Sequence, residues 1–157
     1  MLTMQWFFGE EGLADVYALR RRVFIEEQGI AEEHELEGDD GACIHTVLYE
    51  GDVPVSTGRV KITAADYIIG RVATPAEFRG RGYATAVMQA LIKACCIMGG
   101  ERQILHAQLS AQGFYDKLGF VPYGEVFDEA GIPHISMEHR GYPMGSCMHG
   151  QPVVERS

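Results

Sequence analysis

The sequence predicts an α+β (mixed α/β) domain with helices laid on a central sheet, and three observations carry that prediction. Apolar segments of strand length recur along the chain, helical periodicities interrupt them, and glycines punctuate the joins. The 157 residues fit one domain, since domains usually run to ~100–200 residues. A chain of this size can bury roughly 68–70% of its unfolded surface, so it needs no disulfide or metal staple.

Met4–Phe8 opens as a short apolar strand. Leu13, Val16, Tyr17, Val23 and Phe24 recur at helical spacing and predict one helix to about Gln28, which Gly29 ends. Gly29–Ala42 is an acidic, Gly-punctuated connection. Ile44–Tyr49 and Val55–Ile62 form a hairpin around Glu50-Gly51-Asp52, and Tyr67–Thr74 is a further strand. Ala84, Val87, Met88, Leu91, Ile92 and Cys95 trace one face of an amphipathic helix that Gly99-Gly100 terminates. Ile104–Ala107 reads as a buried strand and Ala111–Leu118 as a short helix closed by Gly119. Val121–Phe127 and His134–Glu138 pair around a Gly131-Ile132-Pro133 turn. Residues 1–140 form the domain. Residues 141–157, rich in Gly, Pro and polar residues without periodicity, form a C-terminal tail expected to pack against something.

Formal net charge is −9, which argues against a protein that grips nucleic-acid phosphates through basic patches. The acid is concentrated between Glu26 and Asp40, whereas arginines cluster at Arg20–Arg22 and at Arg71, Arg79 and Arg81. The four cysteines lack metal or redox spacing: Cys95 and Cys96 are adjacent on a helix, and Cys43 and Cys147 stand alone. No metal site is expected. No basic-then-apolar secretory segment opens the chain and no apolar run approaches ~18 residues. The expectation is a cytoplasmic protein with no membrane partner.

The sharpest feature is the run Val72 to Ala84, where a strand ends, a Gly-rich turn follows and a strong helix begins at once. Such a turn aims backbone N–H groups and the positive end of a helix at one spot, which suits a diphosphate. Gly80 and Gly82 let the backbone approach a ligand closely, and Arg79 and Arg81 add charge, with at most one of the two expected on phosphate. A Walker loop is excluded because no Gly-Lys-Ser/Thr follows, and the three-glycine dinucleotide fingerprint is missing. Taken alone, the loop is equally readable as a tight turn without a ligand.

Arg79-x-x-Gly82-x-Ala84 resembles the Q/R-x-x-G-x-G/A signature of the GNAT superfamily of N-acetyltransferases. Phe114-Tyr115-Asp116-Lys117-Leu118-Gly119-Phe120 resembles that superfamily's Y-x-x-x-G-F helix end. Arg22-Val23-Phe24 with Glu27-Gln28, and Gly131-Ile132-Pro133-His134-Ile135, are most similar to its ElaA-like branch. The resemblance covers about residues 5–140. It implies a GNAT-like fold, with a mostly antiparallel sheet splayed between two middle strands and flanked by helices.

The resemblance also implies acetyl-CoA as co-substrate. Val72, Ala73 and Thr74 would pair with the pantetheine arm, and the amides of Arg79, Gly80, Arg81, Gly82, Tyr83 and Ala84 would hold the pyrophosphate. Gln108 falls where many members carry an Asn that touches pantetheine. An amine would attack the thioester directly, and Tyr115 would serve the leaving thiolate. An alkylammonium of pKa ~10.4 must lose a proton at neutral pH, at a cost of about 4–5 kcal/mol. Glu27, His134 and His106, or a water chain between them, are the candidate bases, each residue also readable as structural. The partners expected are a small-molecule or peptide amine and a second copy in a homodimer. The acidic stretch Glu26–Asp40 points to a cationic amine, with a merely solvated face as its alternative. Rival readings are an acyl-homoserine-lactone-synthase-like acyltransferase, whose family start Arg22-Val23-Phe24 also resembles, and a non-catalytic acyl-CoA-binding module.

Overall fold

The computed structural model describes residues 1–36, 38–143 and the backbone of 154–156. Cys147 lies outside the described residues, as does most of the tail. The strands are β1 (Leu2–Phe8), β2 (Cys43–Glu50), β3 (Val53–Ile62), β4 (Tyr67–Ala73), β5 (Arg102–Gln108), β6 (Val121–Glu129), β7 (Ile132–Arg140) and β8 (Val154–Arg156). They form one sheet in the order β6-β7-β5-β4-β3-β2-β1-β8. Only the β4–β5 and β1–β8 pairs are parallel. The tail therefore returns to the sheet, with Val154, Glu155 and Arg156 paired to Thr3, Met4 and Gln5.

Helices cover the two faces unequally. The longest, α3 (Tyr83–Ile97), lays Val87, Met88, Leu91, Ile92 and Cys95 on one face, every one of them buried. Gly58 of β3 allows the close approach, since a Cβ there would come within 2.7 Å of Leu91. α4 (Gln112–Lys117) leads into the same core, where Leu118 and Phe120 meet Leu105 and Ala107 of β5. The opposite face carries α1 (Ala14–Arg20), whose Val16 and Leu19 pack on Val47, and the one-turn α2 (Glu32–Glu35).

Three boundaries differ from the sequence expectation. The first helix is α-helical only to Arg20. Arg21–Glu27 continues as a π-helix, with the Gln28 N–H bonded to the Val23 carbonyl at 3.1 Å. The wider turn keeps Val23 and Phe24 on the buried side, against Ala73 at the end of β4. Second, the acidic connection is not structureless but holds α2 and a 3₁₀ turn at Asp40–Ala42. Third, the last hairpin turns at Ala130-Gly131, with φ +54° and +78°, so Ile132 and Pro133 already belong to β7. A two-residue loop with both φ positive matches the right-handed twist of its strands.

Candidate active site

β4 and β5 share a ladder only at Tyr67–Gln103 and Ile68–Ile104. Past those pairs the strands part, and the gap widens toward the end of β4 at which the glycine turn begins. A bulge in β4 sits beside this gap. Gly70 pairs with Arg59 and Ala73 with Thr57, which leaves one extra residue in β4. Arg71, in the bulge, takes φ +50°, a conformation that costs a non-glycine residue about 1–2 kcal/mol. The gap opens into a cavity of about 430 Å³ on the α1–α2 face. Phe24, Ile30 and Ile68 wall it, and Gln108, Tyr115, His106 and His134 also line it.

The glycine turn has the form needed to receive a diphosphate. Gly80 and Gly82 adopt φ +78° and +80°, and a Cβ added at either would meet no atom within 4 Å. Within the protein itself, then, backbone conformation rather than crowding demands glycine at both positions. Gly82 is the N-cap of α3, and among the described residues no side chain caps the first N–H groups of the helix. Free donors at the positive end of a 15-residue helix fit an anion without further help.

Arg79 and Arg81 divide the roles the sequence left open between them. Arg79 forms a bidentate pair with Glu27 at 2.8 and 2.6 Å, while its Nε donates to the Thr74 carbonyl at 2.8 Å. This arginine staples the loop to the π-helical segment, and Arg22–Glu77 adds a second ion pair between the same two segments. Arg81 is exposed and has no partner among the described residues. Arg81 is thus the arginine free to meet phosphate. Tyr83 contributes only backbone to the turn, because its buried hydroxyl donates to Glu50 at the far end of β2. Ala84 is the second residue of α3. Thr74 hydrogen-bonds Ser56 through its hydroxyl at 2.8 Å, and Val72 and Ala73 run along the gap.

Of the candidate bases, Glu27 is committed to Arg79, whose hydrogen bonds hold its carboxyl below the usual carboxylate range. That pairing makes it a poor proton acceptor. Gln108 donates to Gln28 at 2.8 Å and so bridges β5 to the end of the π-helical segment. His134 lies opposite Gln108 in the β5–β7 ladder and His106 opposite Ser136, which puts both rings on the cavity face. The His134 Nδ1 lies 2.7 Å from the Ile132 carbonyl. A carbonyl can only accept, so Nδ1 carries a hydrogen, and in the neutral ring the lone pair is on Nε2.

Sequence reasoning missed Glu129. Its carboxylate lies 3.6 Å from His134 Nε2 and 3.5 Å from His106 Nδ1, with Phe127 packed against both rings. His106 foremost, opposed by burial and aided by His134 and Arg71, holds Glu129 below the usual carboxylate range. Nothing in Phe127-Asp128-Glu129 marks a site residue by spacing. Only closure of the Ala130-Gly131 hairpin carries Glu129 over the two histidines. Tyr115, from α4, is part-buried between Phe114 and Phe120, and burial pushes its phenol up to about 12.

The acidic stretch is largely spent in ion pairs. Glu32 meets Arg21, Glu35 meets Arg20 and Arg71, Asp39 meets Lys61, and Asp40 meets Arg20 and Arg59. Among the described residues no His, Cys, Asp and Glu side chains are grouped to hold a metal ion, and no helix is long and apolar enough to cross a membrane.

Residues 10–140 match the sequence profile of the acetyltransferase (GNAT) domain, and the chain belongs to that family of acyl-transferring enzymes. It is 35% identical over 129 residues to the uncharacterized N-acetyltransferase YjcF of Bacillus subtilis, covering 82% of this chain and 92% of that protein. With ElaA of Escherichia coli it shares 32% identity over 137 residues, covering 82% of this chain and 89% of ElaA. The crystal structure of ElaA superposes with a TM-score of 0.77 over 89% of this chain and all of that one. An acyl-CoA N-acyltransferase from Pseudomonas aeruginosa superposes with a TM-score of 0.78 at 26% identity, over 88% of this chain and 99% of the other. The GNAT family uses acyl-CoA, and the free helix end and open gap described above fit its diphosphate and its arm.

Proposed function

We propose that this chain is an N-acetyltransferase that moves the acetyl group of acetyl-CoA to a primary amine by direct attack. One observation carries the reading: the β4–β5 gap, which starts beside an anion-ready helix end, opens into a cavity lined by both Tyr115 and His134. The backbone of Val72, Ala73 and Thr74 would hold the pantetheine arm, and the amides from Arg79 to Ala84, with the Arg81 side chain, the pyrophosphate. Gln108 would reach the arm by exchanging its bond to Gln28.

In the transfer the amine nitrogen forms a bond to the thioester carbon, the C–S bond breaks, and the thiolate leaves with its electron pair. His134 Nε2 takes the proton that the amine releases. In the neutral ring its lone pair faces a carboxylate, and protonation makes that contact with Glu129 an ion pair. Tyr115 donates a hydrogen bond to the departing thiolate. A phenol near 12 lies above a thiol's ~8.5, so surrendering its proton outright would cost about 5 kcal/mol. No serine or cysteine nucleophile lies among the lining residues, consistent with direct attack.

The test is release of free CoA from acetyl-CoA across a panel of primary amines, with longer acyl-CoAs in parallel. Acceptor-dependent release with acetyl-CoA is expected. Tight CoA binding with no release for any amine would make the protein a binding module instead.

A further inference from the structure

A buried ionic network underlies the cavity beside the bulge. Arg20, fully buried, donates to Glu35 at 2.6 Å and to Asp40 at 2.7 Å, and Asp40 also takes Arg59 at 2.8 Å. Arg71 completes it through Glu35 at 3.2 Å. His45 donates to the Asp40 backbone carbonyl, and burial keeps its ring neutral. Three guanidinium groups thus gather around two carboxylates in one cluster. Lys61 and Asp39 alongside form a neutral pair.

Arg59 is where that cluster meets the cavity. Gly58 faces α3, so Arg59 points to the opposite face of β3, where it lines the cavity with its side chain only 9% exposed. Of its donors only Nη1 is engaged, with Asp40. Nε and Nη2, which share the other edge of the planar group, donate to no described residue. Two parallel N–H donors on one edge match a carboxylate. In the sheet Arg59 pairs with Gly70, so its backbone is one strand spacing (~4.8 Å) from the strand that borders the gap. His134, His106 and Glu129 lie on the far side of that gap.

We infer that the acceptor is a small amino acid-like molecule, carrying a carboxylate close to its amine, and that the Nε–Nη2 edge of Arg59 binds the carboxylate. The inference rests on the transfer reading above. The amine then lies toward His134, and the acceptor's side chain against Phe24, Ile30 and Ile68. A cavity of about 430 Å³ suits a single small molecule rather than a folded peptide. This assignment differs from the cationic acceptor suggested by the acidic stretch, of which Glu27, Glu32, Glu35, Asp39 and Asp40 are already bound to arginine or lysine.

The experiment measures CoA release with matched sets: alanine, leucine and phenylalanine, each beside its methyl ester and its decarboxylated amine. Wild type should prefer the free acid by at least about tenfold in kcat/KM, since a site with unmet donors discriminates against analogues that lack the acceptor group. In Arg59→Gln the preference should collapse toward one, and Arg59→Lys should retain part of it. Calorimetric binding of CoA reports that each variant is folded. Should Arg59→Gln not fold, wild type alone still decides, because it should bind N-acetyl-leucine more tightly than N-acetyl-leucinamide. Esters or amines that react as well as the acids, or a preference that survives Arg59→Gln, would overturn the inference and leave transfer intact. If no member of any set releases CoA from a protein that binds it, the transfer reading falls and this inference with it.

Discussion

In the proposed transfer Tyr115 and His134 divide the proton chemistry, and their variants should fail differently. Tyr115→Phe removes a hydrogen bond to the leaving group and should lower kcat by more than about tenfold, with acyl-CoA affinity nearly unchanged. Its loss should be flat across neutral pH, because the phenol stays protonated there. His134→Asn keeps a donor for the Ile132 carbonyl but lacks a basic nitrogen. Its deficit, ~10²–10⁴-fold near pH 7, should shrink as pH rises and the amine deprotonates unaided. Two pH–rate profiles decide the matter, and parallel ones would reassign His134 to packing. These two candidates, which line one cavity, were legible in the sequence to the extent that each sits in a short local pattern. Glu129 and Arg59 were not. Glu129 needs the hairpin to bring it to the histidines, and Arg59 sits in a strand where it looks like any alternating polar residue.

At the scale of the element, the turn before α3 combines two demands on Gly82 that substitution can separate. Gly82→Ala adds a Cβ to a residue at φ +80° in open space, so the cost is conformational, about 1–2 kcal/mol of stability. Gly82→Asp adds negative charge at the helix end as well, turning an attraction of ~0.3–2 kcal/mol into a repulsion of similar size. Thermal unfolding should show a similar loss for both, whereas calorimetry should show CoA binding abolished only in the aspartate variant. Equal CoA affinity in the two would remove the loop from the site. Helix α3 was readable to within a residue or two because its apolar stripe has one period. The change from α to π at Arg21 was hidden, since Val23 and Phe24 extend the same apolar pattern under either geometry. The loop staple from Arg79 to Glu27 was equally hidden: its partners are 52 positions apart.

For the whole molecule, the Arg20–Glu35–Asp40–Arg59–Arg71 network ties α1, α2, β3 and β4 into one body. Burial opposes ionisation of Asp40, but Arg20 and Arg59 outweigh it and hold the group below the usual carboxylate range. A carboxyl whose folded pKa is depressed contributes stability above its unfolded value of ~3.9, and that contribution is lost as pH falls through the lower folded value. The melting temperature should therefore drop as pH falls below about 4. Asp40→Asn should flatten that drop and cost about 3–5 kcal/mol near neutrality by stranding buried arginines. An acid limb unchanged in the variant would shift the credit to other carboxylates. The mostly antiparallel sheet and its splayed pair followed from the resemblance carried by two motifs, though the strand order did not. The network did not, because the sequence displays the acidic stretch as one feature and the arginines that neutralise it as three.

The return of the tail to β1 has a further consequence, for how copies of the chain could associate. A sheet with two bare edges can grow without limit, each copy offering a ladder to the next. Here the strand at one end of the sheet, Val154–Arg156, is only three residues long, and an edge that short is a poor template for another copy. The long rim is β6, where Val121, Tyr123 and Val126 stand exposed. Self-pairing along one rim joins like to like about a two-fold axis and uses up that rim in both copies. Growth through that rim alone stops at two.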